Sequence, residues 1–149
     1  MGSESNKSVS NQDFMPLLRA LVRAYQAFAG YDASGHRATG LTVSQADVLF
    51  TLGNTEGLTF TEIGSQTLIT KGTLTGVVDR MEDKELVKRV NLPDDRRCTK
   101  VVLTAKGTKL FNRAFPDHIA YLKERFDRLD SDTQRQALMH LQKIKQIFD

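Results

Sequence analysis

The most suggestive polar residues follow one another along a single predicted helix, from Thr70 to Lys84. One face of this helix is apolar, and the opposite face has hydroxyl groups, glycines and cations: Thr70, Lys71, Gly72, Thr73, Thr75, Gly76 and Arg80. Threonine hydroxyls bond to base edges or phosphates, and a helix N-terminus favours a phosphate. Each glycine costs the helix about 1 kcal/mol, which favours a face built for close approach. The pattern predicts contact with a nucleic-acid duplex; exposed helix residues without a ligand are the alternative.

A second cationic group lies at the predicted tip of a β-hairpin, where Asp94 and Asp95 precede Arg96 and Arg97. Arginines at such a tip can enter a narrow minor groove in A·T-rich DNA. We expect Asp95 to brace Arg97 by a bidentate ion pair, which as an ordinary surface pair would contribute only about 0–1 kcal/mol. The strands add three cations that are either phosphate contacts or solvated side chains: Lys88, Arg89 and Lys100.

The charge of the chain is concentrated in the same segment. Residues 71–113 contain eleven Lys or Arg and six Asp or Glu, a net charge of +5, whereas the remainder has a net charge of −2. A basic segment on a nearly neutral body is typical of a nucleic-acid-binding face, although a solvated surface of mixed charge has the same composition.

These side chains must be positioned by helices whose starts are marked in the sequence. An apolar stripe at helical spacing predicts a long first helix over residues 14–29, followed by a polar connector at 31–40. Thr42 and Thr59 each open a capping box, with Gln or Glu three residues later, and Thr70 caps the cationic helix. A tight turn at residues 67–69 separates the helix that Thr59 opens from the helix that Thr70 caps.

The spacing of apolar residues changes in the second half of the chain. β-Branched residues predict strands at 86–91 and 98–104, joined by a longer loop. Thr104 then begins a long helix that Pro116 should kink or split, and Ser131 opens the last helix. A short helix, a tight turn, a second helix and a β-hairpin together form a winged helix-turn-helix.

The predicted fold class is mainly α with a small β-hairpin wing. Residues 1–12 are expected to be disordered and residues 13–149 to form a single domain, with the winged helix-turn-helix at about 42–104. The flanking helices, at about 13–31 and 105–148, have apolar stripes that a small central domain would not fully cover. We therefore expect them to pack against a second copy of the chain, the alternative being packing within one chain.

Five short motifs follow one another at fixed distances: TEIGS at 61–65, KGTLTGVVDRME at 71–82, LVKR at 86–89, PDDRR at 93–97 and VLTAKG at 102–107. The ordered set, over roughly residues 42–110, resembles the MarR (multiple-antibiotic-resistance regulator) family of winged-helix transcription factors. The resemblance implies a homodimer with recognition helices in successive major grooves and wings on the minor groove. By the same resemblance, Thr73, Thr75 and Arg80 belong to the DNA-reading helix, and Asp95 and Arg97 belong to the wing.

Two residues depart from the pattern of that family. Gly76 stands where the family often has an arginine, so one DNA contact is missing and the operator preference should differ. Glu85 stands where glycine is usual, just after the recognition helix. A positive φ at this position would strain Glu85 or require a reshaped turn.

The resemblance also implies a small aromatic or phenolic effector, bound between the dimerisation helices and the DNA-binding lobe. The candidate pocket residues are Tyr25, Phe28, Tyr31, His36 and Arg37, although Tyr25 and Phe28, each taken singly, are better interpreted as core residues. Neither a cofactor nor a metal is expected. The histidines are far apart in sequence, and the only cysteine, Cys98, lies on a wing strand rather than in the first helix.

Several classes of protein are disfavoured by the sequence. A nucleophile elbow, a Walker loop, an H-E-x-x-H motif and a dinucleotide fingerprint are all missing, so an enzyme is not expected. No apolar run spans a membrane, no signal peptide is visible, and one cysteine fits the cytoplasm. The predicted function is a DNA-binding repressor of a palindromic operator, released by a ligand; the alternative is a winged-helix protein-interaction module.

Overall fold

The computed structural model describes residues 12–149 of the chain, apart from the side chain of Arg96. The disorder expected for residues 1–12 therefore concerns residues that lie almost wholly outside the described part. The chain divides into two compact units, of which the first ends at Ser34 and the second comprises Gly35–Asp149. Within residues 12–149, every helix is too short or too polar to cross a membrane.

Helix α1, Met15–Gly35, is longer than the sequence indicated. Its last turns occupy the first half of the expected connector at 31–40, so that expectation was wrong for residues 31–35. The apolar stripe ends near residue 29, but the hydrogen-bonded backbone continues because polar side chains do not end a helix by themselves. A short 3₁₀ turn, Arg37–Thr39, and Gly40 at a φ of +69° complete the connection.

The part of the second unit from Val43 to Leu103, which we call the lobe, begins with a series of short helices and one short strand. In chain order these elements are α2 (Val43–Leu52), β1 (Leu58–Thr59), α3 (Phe60–Gln66) and α4 (Lys71–Asp83). Both expected capping boxes are confirmed, with reciprocal bonds at Thr42 and at Thr59. The Glu62 carboxylate accepts from the Thr59 backbone N–H at 2.7 Å, and this bond lowers the pKa of Glu62.

The wing is a three-stranded antiparallel sheet in the order β1–β3–β2, with β2 at Val87–Leu92 and β3 at Asp95–Leu103. The hairpin itself is confirmed, but its connection is a two-residue turn rather than a longer loop, because Leu92 pairs with Asp95. No sequence pattern predicted β1, because two residues are too few for a periodic pattern. The two residues of β1 belong to the sheet because Leu58 pairs with Val101 of β3.

Two long helices complete the second unit: α5 at Ala105–Phe126 and α6 at Ser131–Gln146. Pro116 lies inside α5, and the helix continues through it rather than splitting. The N-cap of α6 is Asp130 rather than the expected Ser131, because the Asp130 carboxylate accepts from the Thr133 N–H at 2.9 Å. That bond lowers the pKa of Asp130.

The core of the lobe forms where the apolar face of α4 meets α2, α3 and the sheet. The buried side chains of α4 are Leu74, Val77, Val78 and Met81. They belong to one cluster with partners from every neighbouring element, among them Leu49, Ile63, Val101 and Phe111. Burying four such side chains in one helix face fixes which side of α4 remains in solvent, at roughly 1.5–3 kcal/mol per side chain.

Helix α4 ends in a Schellman motif whose left-handed residue is Glu85, at a φ of +58°. The Glu85 N–H donates to the Glu82 carbonyl at 2.8 Å, and the Leu86 N–H donates to the Met81 carbonyl at 2.9 Å. The Thr104 hydroxyl donates to the Glu85 carbonyl at 2.6 Å, which ties this turn to the start of α5. The positive φ considered from the sequence is therefore present in a non-glycine residue.

We expect Glu85→Gly to raise the free energy of unfolding by about 1 kcal/mol, because an L-residue in the left-handed region costs about 1–2 kcal/mol and glycine does not. For a chain of this size the midpoint of thermal unfolding should rise by about 2–4 °C. Glu85→Ala is the matched control. It removes the exposed ion pair with Lys106 but keeps the Cβ, so an equal gain in both variants would contradict backbone strain as the cause.

Candidate nucleic-acid interface

The polar face of α4 is open to solvent, as the spacing predicted. Among its exposed residues are Thr70, Lys71, Gly72, Thr73, Thr75 and Arg80, together with the acidic Asp79, and Gly76 is half-buried beside them. The Thr70 side chain makes no capping bond to the helix backbone, and its hydroxyl donates to the Thr73 hydroxyl at 3.1 Å. Hydroxyls, one ammonium group and the helix N-terminus thus form one continuous surface that suits an anionic ligand.

The guanidinium of Arg80 lies over Gly76. A Cβ built at Gly76 would be 3.5 Å from Nη1 of Arg80, an ordinary van der Waals contact, and a Cβ at Gly72 would meet nothing within 4 Å. Neither glycine is required by packing within this chain. Because helices disfavour glycine, open space above both positions is compatible with close approach by a ligand, as the sequence predicted.

Arg89 on strand β2 is held by two carboxylates of α4. Its guanidinium donates to Asp79 at 2.7 Å and to Glu82, and its backbone N–H donates to Glu82 at 3.2 Å. The same guanidinium lies 5.4 Å from the ring centre of Phe60 on α3. The sequence left two interpretations open for Arg89, a phosphate contact or a solvated residue. In the structure Arg89 instead joins strand β2 of the wing to helix α4.

Lys88, the neighbour of Arg89, is exposed on the same strand, whereas Lys100 on β3 is half-buried. Lys100 is close enough to Glu62 to contribute to the lowered pKa of that carboxyl. Lys88 therefore remains a candidate for a phosphate contact, and the charge of Lys100 is partly balanced within the lobe.

The wing tip is organised by Asp95, though not in the way that the sequence suggested. Its carboxylate accepts from the backbone N–H of Arg97 at 2.9 Å, an Asx turn, and no described ion pair joins it to the Arg97 guanidinium. Asp95 thus fixes the backbone at the tip and leaves the exposed Arg97 side chain its full charge. The side chain of Arg96 lies outside the described part of the structure.

The candidate effector residues fall in different environments. In the first unit, Tyr25 and Phe28 are 52% and 44% exposed, so the interpretation of these two as buried core residues was wrong for a single chain. Tyr31 in the same unit is half-buried. In the second unit, His36 is buried and the adjacent Arg37 is exposed, which separates the two groups that were expected to neutralise a carboxylate together.

His36 stacks on His118 of α5, with ring centres 4.1 Å apart and ring planes 19° from parallel. Both histidines are buried, and both contact Phe50 of α2. His36 and His118 are far apart in sequence, and the eighty-one residues between them give no local sign of this contact.

Comparison with known proteins points to one family. The MarR family model matches residues 41–99. The HTH-type transcriptional regulator MhqR of Bacillus subtilis (strain 168) is 32% identical over 130 residues, 87% of this chain and 90% of MhqR. The homoprotocatechuate degradative operon repressor of Escherichia coli is 30% identical over 95 residues, 64% of each chain.

A solved structure agrees along most of the chain. BpsR of Bordetella bronchiseptica, whose DNA binding is regulated by 6-hydroxynicotinic acid, is 25% identical with a TM-score of 0.76, covering 91% of this chain and 94% of BpsR. The fold and these relatives together define the class of protein, a winged-helix transcriptional regulator that binds DNA. The chain belongs to the MarR family.

We expect Gly72→Ala and Gly76→Ala each to stabilise the fold by about 1 kcal/mol and yet to weaken binding to the preferred duplex, because each adds a methyl group to the face that approaches DNA. Thermal unfolding and fluorescence anisotropy measure the two effects. Gly30→Ala, at an open helix glycine in the first unit, is the matched control and should stabilise without weakening. Unchanged duplex affinity in both α4 variants would show that the glycines serve no close approach.

Proposed function

We propose that the protein is a homodimeric repressor that binds a palindromic operator and is released by a small aromatic or phenolic ligand. The observation that supports operator binding best is the pairing of two exposed cationic features on one lobe. These are the hydroxyl and glycine face of α4, and the wing tip with Arg97. Because Arg89 ties the wing to α4, the two features approach a duplex as one rigid surface.

Two uncovered apolar surfaces support the second copy. In the first unit, α1 buries no residue, and its apolar stripe includes Leu17 and Tyr25, which are more than half exposed. In the second unit, α6 also buries no residue, and a hollow of about 520 Å³ beside it is lined by Phe126, Leu138 and Leu141 among others. Apolar stripes of this extent are typical of oligomer interfaces, and a two-fold dimer would match a two-fold operator.

The relatives support the class of effector. BpsR responds to 6-hydroxynicotinic acid, and the Escherichia coli relative represses an operon that degrades homoprotocatechuate. Both compounds are small aromatic acids with ring hydroxyl groups. By extension we propose that a compound of this chemistry binds here and shifts the population of the DNA-binding conformation.

Operator binding is tested by selecting duplexes from a random pool and measuring affinity against salt. We expect a two-fold consensus with half-sites about one helical turn apart and an affinity that falls steeply as salt rises. Arg97→Ala should weaken binding about tenfold or more and lower the salt slope by about 2 across two wings. Lys143→Ala, which removes one charge from α6, is the control. Salt-independent binding to a protein partner instead would favour an interaction module.

The second copy is tested by sedimentation of Leu138→Glu and Leu141→Glu. These side chains are 58% and 53% exposed, so the folded chain should tolerate the change. We expect each variant to sediment as a monomer where the wild type sediments as a dimer, because a carboxylate would be desolvated at the interface. Gln142→Glu adds the same charge to the same helix and should leave the dimer intact. Wild-type protein that sediments as a monomer at micromolar concentration would contradict the proposal.

A further inference from the structure

Leu68 is the most exposed large apolar side chain among the described residues, with 80% of its surface accessible. It lies in the turn between α3 and α4, two residues before the N-cap of the recognition helix. An isolated exposed leucine is common on protein surfaces and requires no explanation by itself. The position of Leu68 is informative because the backbone on both sides of it is held in place.

The residue before Leu68 is anchored to α3. The Thr67 backbone N–H donates to the Ile63 carbonyl at 3.1 Å, and the Thr67 hydroxyl donates to the same carbonyl at 2.9 Å. The residue after it, Ile69, is buried in the core, and its N–H donates to the Thr67 hydroxyl at 3.3 Å. With Ile69 turned inward and Thr67 tied back, the turn holds Leu68 outward in a defined position.

The surroundings of Leu68 are polar and cationic. Beyond the buried Ile69, the exposed residues that follow along the chain include Thr70, Lys71 and Thr73, on the face that we propose approaches DNA. A flexible cation at this position would add affinity for any phosphate, whereas leucine adds none. The apolar group that a major groove presents is the C5-methyl of thymine, which is also the group that distinguishes thymine from uracil.

We propose that Leu68 contacts a thymine C5-methyl in each half-site and so selects an A·T pair there. The inference rests on the proposed operator binding and extends it from affinity to sequence preference. The turn supplies a rigid apolar contact beside the reading helix, and Thr73 and Thr75 remain available for polar contacts to other bases. Two copies of the chain would place one such contact at each end of the palindrome.

The test compares the selected operator with the same duplex in which deoxyuridine replaces every thymine, a change that removes only the methyl groups. Affinities are measured for wild type, Leu68→Ala and Leu68→Met. Each methyl that leucine buries is worth about a fourfold change in affinity, so the wild-type ratio of thymine to uracil affinity should exceed that of Leu68→Ala by about fourfold per half-site. Leu68→Met, which keeps an apolar chain of similar volume, should retain most of the wild-type ratio.

Equal thymine-to-uracil ratios in the wild type and in Leu68→Ala would overturn the inference, whatever methyl dependence the threonines contribute. If those equal ratios came with an equal loss of affinity for both duplexes, the leucine would contact sugar or phosphate and not the methyl group. In both cases the salt-dependent operator binding would still stand. Failure of the wild type to bind any duplex is a different result and would contradict the proposed function itself. Thermal unfolding checks that each variant folds, as expected for an exposed side chain.

Discussion

The proposed DNA-binding surface depends on one charge cluster, in which Arg89 of the wing strand meets Asp79 and Glu82 of helix α4. Ion pairs of this kind add little net stability, but losing one partner leaves the others uncompensated, so the cluster specifies orientation more than energy. It also offsets part of the charge of two carboxylates that would otherwise repel phosphates beside α4. One arginine therefore aligns two elements and reduces the negative charge where they meet.

The exposed face of α4 and the turn before it contain residues that do not favour the stability of the isolated chain. Two glycines weaken the helix where no packing within the chain requires them, and the preceding turn holds a leucine in solvent. The opposite face of the same helix obeys every rule, with four apolar side chains buried in the core. Departures confined to one surface are expected where a ligand rather than the fold determines the residue type.

The long helices obey a different constraint, since each has an apolar stripe wider than its own unit covers. Helix α6 has no buried residue although Leu138 and Leu141 repeat at helical spacing. Helix formation from so exposed a segment depends on burial supplied from outside, because propensity alone leaves a helix of this length marginal. The proposed second copy would supply that burial and would also set the distance between the two reading helices.

Local patterns in the sequence determined the helices, the capping boxes at Thr42 and Thr59, the hairpin and the solvent-facing side of α4, because periodicity and caps act within a few residues. The family was recognisable for the same reason, from motifs at fixed spacing. Tertiary structure alone decided the pairing of β1 with β3, the role of Arg89 and the contact between His36 and His118. Each of these joins segments whose separation along the chain gives no local signal, and each forms only when the core brings those segments together.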